Sequence, residues 1–170
     1  DLSVGSWITF VGSDDVLCVD MIESYVDTIN SSNLYKPNFI SSKVQLVDKD
    51  MNKLRIIGKP WGRLMKRYIC IAHVGSFHCR DLFLIFGNFN TTYRIAGDYE
   101  FLLRVYDEVR PVFIDKVTVL VGDGGISNRR IMKVAREVFL LKRAHSNRSV
   151  LLIYFDFVVM LIKFYIRLIK

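Results

Sequence analysis

An α/β fold is what this sequence predicts, and three observations predict it. Short apolar runs of strand character alternate along the chain with segments of helical periodicity. Hydrophobic residues make up 51% of the sequence and aromatics 13%, which is too apolar for disorder. The 170 residues are enough for one domain with a buried core.

The elements follow in order. Trp7-Ile8-Thr9-Phe10-Val11 reads as a buried strand, closed by Gly12-Ser13-Asp14-Asp15. A helix comes next: Asp20 and Glu23 have capping-box spacing, and Ile22, Tyr25, Val26 and Ile29 share one face. Strand-like stretches run over residues 40–47, which alternate, and over residues 54–57, which do not, with a polar turn between them, so a hairpin is expected. Residues 58–62 break the pattern, and an apolar run follows at 69–74. A short helix over 81–86 should stop at Gly87, a natural left-handed cap. Asp98 opens a further helix with Phe101, Leu102 and Val105 on its inner face. Residues 112–114 and 117–121 are two short strand candidates, and Gly122-Asp123-Gly124-Gly125 is a flexible loop. The remainder is helix in two pieces, broken near Ser146-Asn147.

Charge divides the chain in two. Residues 1–128 carry 14 Lys and Arg against 15 Asp and Glu, whereas residues 129–170 carry 10 against 2. The first part reads as the body of the protein and the second as a basic, amphipathic helical tail. Over residues 149–170, Ser149, Asp156, Lys163, Arg167 and Lys170 fall on a narrow arc, with aliphatic and aromatic residues around the rest. Three of those charges lie within the ~20 residues that a membrane span needs, so an interfacial helix fits better than a spanning one. A helix packed on the protein's own core is the other reading. So broad an apolar face contributes nothing to phosphate binding, which disfavours nucleic acid as a partner. The cysteines, Cys18, Cys70 and Cys79, are odd in number and scattered. They form no disulfide framework or zinc spacing, and a reducing cytoplasm is expected. His73 and His78, five apart, would lie on different faces of a helix and make a poor metal pair.

Two stretches carry chemistry. Asp14 and Asp15 follow a strand, where open α/β sheets bind their ligands. A divalent ion held by one or two carboxylates and by substrate phosphates is the chemistry such a pair supports. On extended backbone adjacent side chains point apart, so one would reach the metal directly and the other would contact ligand. The same pair also reads as a solvated turn. Asp98, at a helix start, reads first as a cap, and second as a general base kept ionised by the helix dipole.

Taken together and in order, these stretches resemble family 2 glycosyltransferases. The segment from Trp7 to Asp15 is similar to that family's strand and metal site. Ile71-Ala72-His73-Val74-Gly75-Ser76 through Phe83 looks like its acceptor-side segment. Gly87-Asn88-Phe89-Asn90 through Arg104 resembles its catalytic-base helix, and Gly124-Gly125-Ile126-Ser127 its glycine loop. The resemblance implies a partial GT-A fold, the Rossmann-like fold of nucleotide-diphospho-sugar transferases. It makes Asp15 the metal ligand, for Mg²⁺ or Mn²⁺, and sets Asp14 beside the nucleotide-sugar donor. Asp98 becomes the base for inverting transfer to a lipid-linked saccharide acceptor. His73 and Arg94 line the acceptor side, and Gly124, Gly125 and Ser127 form a flexible loop.

The chain departs from the family in several places. Gly12 stands where the family often has an acidic residue, and Val74 where it often has Gln. No Gln-x-x-Arg-Trp signature of processive synthases occurs. The family's N-terminal, base-holding elements have no counterpart, so the chain reads as the acceptor-side part of an enzyme peripheral to the inner face of the cytoplasmic membrane. The rival readings are an inactive, truncated remnant and a non-catalytic membrane-surface binding module, which could lose Asp15 and Asp98 without consequence.

Overall fold

The structure, a computed structural model, describes residues 3–31, 36–125 and 130–169. Along the chain run β1 (Trp7–Thr9), β2 (Val16–Leu17), α1 (Met21–Ser31), β3 (Phe39–Val47) and β4 (Lys53–Ile57). A short 3₁₀ helix (Arg63–Lys66), β5 (Phe77–Cys79), α2 (Arg80–Phe86) and α3 (Gly97–Arg104) follow. The last elements are β6 (Pro111–Gly122), α4 (Ile131–His145) and α5 (Val150–Ile169).

Among the described residues the strands form one mixed sheet, in the order β1-β5-β3-β6-β2, with β4 also on β3. β3 is its centre. It runs parallel to β6 along its whole length, and its other edge is shared between β5, through Phe39 and Ile40, and β4, through residues 44–47. The alternation read in β3 suggested one solvated face. Instead the strand is buried on both, as interior parallel strands are. Two of its polar residues are satisfied, Ser42 Oγ by Thr118 Oγ1 at 2.6 Å and Gln45 Nε2 by donating to the Arg55 carbonyl at 3.1 Å, whereas Ser41 Oγ is buried without a hydrogen-bond partner. β4 is the exposed member of the hairpin.

Because successive side chains of a strand point to opposite faces, Phe39 and Ile40 enter different cores. Phe39 packs with Leu82, Phe101, Leu102 and Leu141, drawing α2, α3 and α4 together. Ile40 packs with Met21, Tyr25 and Val119 beneath α1. Leu141 comes from the segment read as a tail, so that segment contributes to the core.

Three local readings differ from the structure. β1 is a half-buried edge strand of three residues, because it pairs with β5 alone among the described strands. The two strands expected over 112–121 are a single strand, β6. Its register on β3 skips from Ile114 to Val117, so Asp115 and Lys116 bulge outward, where Asp115 pairs with Lys43 and Lys116 with Asp20. Asp20 therefore answers a lysine across the sheet rather than closing a capping box. Elsewhere α2 ends as expected, at Gly87 with φ 81°, whose N–H donates to the Phe83 carbonyl at 3.0 Å.

Of the polar arc of α5, Asp156 faces the protein, whereas Ser149 and Lys163 are exposed. Ile153 and Asp156 are buried, whereas Leu151, Tyr154, Phe155, Ile162 and Tyr165 are exposed. Apolar residues thus lie on both sides of the helix, and a large share of them faces outward.

Candidate active site

The end of β1 enters a tight turn rather than extended chain. Gly12 N–H donates to Asp15 Oδ2 at 2.7 Å, and Asp15 N–H returns to the Gly12 carbonyl at 3.3 Å. The turn reverses the geometry expected of adjacent side chains, and the two carboxylates converge. A Cβ placed on Gly12 would stand 2.6 Å from Asp15 Oδ2 and 3.1 Å from Asp14 Oδ1. Glycine is needed there so that both carboxylates can share one small space. Asp14 also reaches the far end of β6, where a Cβ on Gly122 would lie 2.8 Å from its Oδ2. The glycine loop thus departs from beside the carboxylate pair. Among the described residues no group of three or more His, Cys, Asp or Glu could hold a metal ion. A cation held by this pair would complete its shell with substrate oxygens and water.

Phe10 links the turn to the second stretch. Its ring stacks on His73, with centroids 5.7 Å apart and planes 18° from parallel. Phe83, Phe89 and His78 complete an aromatic cluster around it. His73 Nδ1 lies 4.0 Å from Asp98 Oδ2, on the first turn of α3. Burial holds the His73 imidazole below its ordinary pKa, and the nearby Asp98 carboxylate only partly offsets this. His78 is pushed well down, by burial and then by His73. Both rings are therefore neutral near pH 7. His73 and His78, which no shared helix brings together, stand with ring centroids 5.0 Å apart because a turn and β5 separate them.

Asp98 does not cap α3. The cap position is Ala96, and no side chain bonds from it. Instead Glu137 reaches across from α4: its Oε1 accepts the Arg94 N–H at 3.2 Å, and its Oε2 accepts those of Ile95 and Ala96, each at 2.9 Å. One carboxylate thus satisfies three donors at the positive end of the helix. Asp98 Oδ1 takes only the N–H of its neighbour Tyr99, at 2.7 Å, and the side chain keeps about a third of its surface, 34%, exposed. Glu100, two residues on, is 1% exposed and committed to structure. Its carboxylate meets Arg104 at 3.2 Å and His145 at 2.8 Å, and Arg104 in turn donates to the Asn88 carbonyl at 2.8 Å.

Of the other residues singled out in sequence, Arg94 is exposed, and its guanidinium forms no ion pair among the described residues. Gly124 has open space where a Cβ would be. Gly125 ends the described part of the loop, and Ser127 lies outside the described residues. Sequence reasoning missed Glu137. Its one available signal was that it is one of only two acidic residues among the last 42 of a basic segment.

No protein-family model matches the chain. It is similar to the PGL/p-HBAD biosynthesis glycosyltransferases of Mycobacterium bovis and Mycobacterium tuberculosis. The identity is 27% over 149 residues, covering 78% of this chain and 52% of each relative. Its fold matches that of S. aureus TarS 1–349 with a TM-score of 0.59 at 12% identity, over 94% of this chain and 48% of that one. The chain spans about half the length of the relatives it matches. It is a distant relative of glycosyltransferases, built on a mixed α/β fold shared with TarS.

Proposed function

We propose that this chain is the metal-site and acceptor-side part of an inverting, family 2 glycosyltransferase of the GT-A type. It moves a sugar from a nucleotide-diphosphate donor to a hydroxyl of a lipid-linked saccharide. The observation that carries this reading is the Asp98–His73 pair: a partly exposed carboxylate, released from capping duty, beside a neutral imidazole at 4.0 Å, in a relative of glycosyltransferases. Asp98 accepts the proton of the acceptor hydroxyl. The hydroxyl oxygen bonds to the anomeric carbon as the bond from that carbon to the diphosphate breaks, and the nucleoside diphosphate leaves with the electron pair. Approach from the face opposite the leaving group inverts the anomeric centre. A neutral His73 leaves the carboxylate without a cationic partner, and the exposed Arg94 would meet acceptor oxygens.

Asp15, with Asp14 beside the donor, would hold the divalent ion, Mg²⁺ or Mn²⁺. The fit rests on the space at Gly12, which two carboxylates border and a single Cβ would fill. Such an ion, when bound, offsets charge on the departing diphosphate. Among the described residues no helix is long and apolar enough to cross a membrane. The outward apolar face of α5 supports a peripheral position on the inner, cytoplasmic membrane surface, where an acceptor held by its lipid would be met.

The test incubates the whole protein with a panel of nucleotide sugars and a lipid-linked saccharide, and measures released nucleoside diphosphate. Release that needs the acceptor, stops on chelation and returns with Mg²⁺ or Mn²⁺ is expected. No acceptor-dependent release with any donor overturns the reading, and release indifferent to chelation removes the metal from it.

A further inference from the structure

α4 and α5 enclose, with β4 and the 3₁₀ helix, a cavity of about 810 Å³. That is the size of a small-molecule site. None of Asp14, Asp15, His73 and Asp98 lines it. Its walls are apolar, with Leu64, Tyr68, Val138, Phe139, Phe157 and Phe164 among them. Four cations line it too, Arg55, Arg67, Lys142 and Lys163, against the single carboxylate of Asp156. Asp156 is already shared. It meets Lys142 at 3.2 Å and Arg67 at 3.5 Å, and Arg148 pairs with it as well. Arg55 and Lys163 are exposed and pair with no carboxylate among the described residues. Lys163 Nζ lies 5.8 Å from the Tyr68 ring centroid.

A greasy cavity with surplus positive charge selects a ligand that has both properties. A purely apolar ligand would leave the cations unanswered, and a small polar anion would lose its own hydration against aromatic walls that cannot replace those hydrogen bonds. A second copy of this chain is a poor occupant, because the apolar face it could insert, the outer side of α5, carries no carboxylate. That same face, with Leu151 82% and Ile162 52% exposed, sits beside the cavity and would bring it to a bilayer. We propose that the cavity binds an anionic phospholipid, with an acyl chain among the aromatic and aliphatic walls and the phosphate facing Arg55 and Lys163. The site is independent of the sugar-transfer reading and would hold the protein to the membrane whether or not Asp98 is the base.

Calorimetric titration of the chain with dihexanoylphosphatidylglycerol, kept below its micelle-forming concentration, tests this. Dihexanoylphosphatidylcholine serves as the headgroup control. Saturable binding is expected, tighter for the glycerol headgroup and weakened roughly ten- to thirtyfold in Arg55→Gln/Lys163→Gln, given the usual contribution of a basic residue near anionic lipid. Both positions are exposed, so the double variant should keep its thermal midpoint. Val138→Trp, which fills the cavity from its wall, should abolish binding of both lipids. No binding, equal affinity for both headgroups, or binding untouched by Val138→Trp overturns the proposal. A dimer in light scattering that Val138→Trp dissociates overturns it as well, in favour of a second copy.

Discussion

Asp98 and His73 meet through Asp98 Oδ2 and His73 Nδ1, 4.0 Å apart, while the other carboxylate oxygen of Asp98 holds the Tyr99 N–H. The two residues come from segments separated in sequence, and Phe10 stacks on the imidazole. Asp98 is free of capping duty, because the donors at the start of α3 are taken by Glu137.

Asp98→Asn should leave the thermal midpoint nearly unchanged, since the amide oxygen can still accept the Tyr99 N–H. Turnover in the whole protein should fall by ~10²- to 10⁴-fold, the usual cost of losing a general base. Donor binding should survive, because the carboxylate pair lies on the β1–β2 turn. An Asn variant with full turnover would falsify the base assignment, and buried Glu100 offers no substitute.

Glu137→Ala, unlike Asp98→Asn, should cost stability. It strips one carboxylate from three backbone donors, and a loss of about 2 kcal/mol is expected by analogy with removing a strong cap. For a domain of this size that is roughly 4–8 °C of thermal midpoint. Turnover should fall too, because the start of α3 carries Asp98. Scanning calorimetry showing an unchanged midpoint would mean that water replaces the carboxylate.

Gly12→Ala tests the shared space of the carboxylates. The added methyl meets Asp15 Oδ2 at 2.6 Å, too close to tolerate, so Asp15 must swing away. Metal-dependent donor binding, followed by calorimetry, should weaken about as much as in Asp15→Asn, while stability changes little on an exposed turn. Equal donor affinity in Gly12→Ala and the parent chain would show that the convergence of the two carboxylates is unimportant.

Acid should destabilise the fold through the histidines. Both pKa values are lowered in the native state, by burial above all, so the unfolded chain binds protons that the folded chain refuses. Stability is therefore full above the unfolded value of about 6.5 and declines as pH falls below it. Thermal midpoints measured between about pH 7.5 and pH 5 should drop steadily, within the range where histidine titrates. His78→Phe, which suits the surrounding aromatic rings, should flatten the slope. A midpoint independent of pH over that range would show that the rings are accessible to protons.

What the sequence by itself determined is local. The β3–β4 hairpin, the stop at Gly87, a carboxylate pair after the first strand and Asp98 on the first turn of a helix each depend on neighbours within a few residues. Period, turn chemistry and glycine's access to positive φ therefore suffice to read them. Only the tertiary structure decided which side of α5 faces inward, because periodicity reveals a polar arc but not its partner. Here Lys142, Arg67 and Arg148 draw Asp156 into the protein. It also decided that Glu137 caps a helix some 40 residues earlier, that a bulge at Asp115 and Lys116 keeps β6 whole, and that two histidines five apart share one aromatic cluster. Each of these depends on an ion pair, a strand register or a ring contact between distant segments. Such energies exist only once the chain has closed on itself.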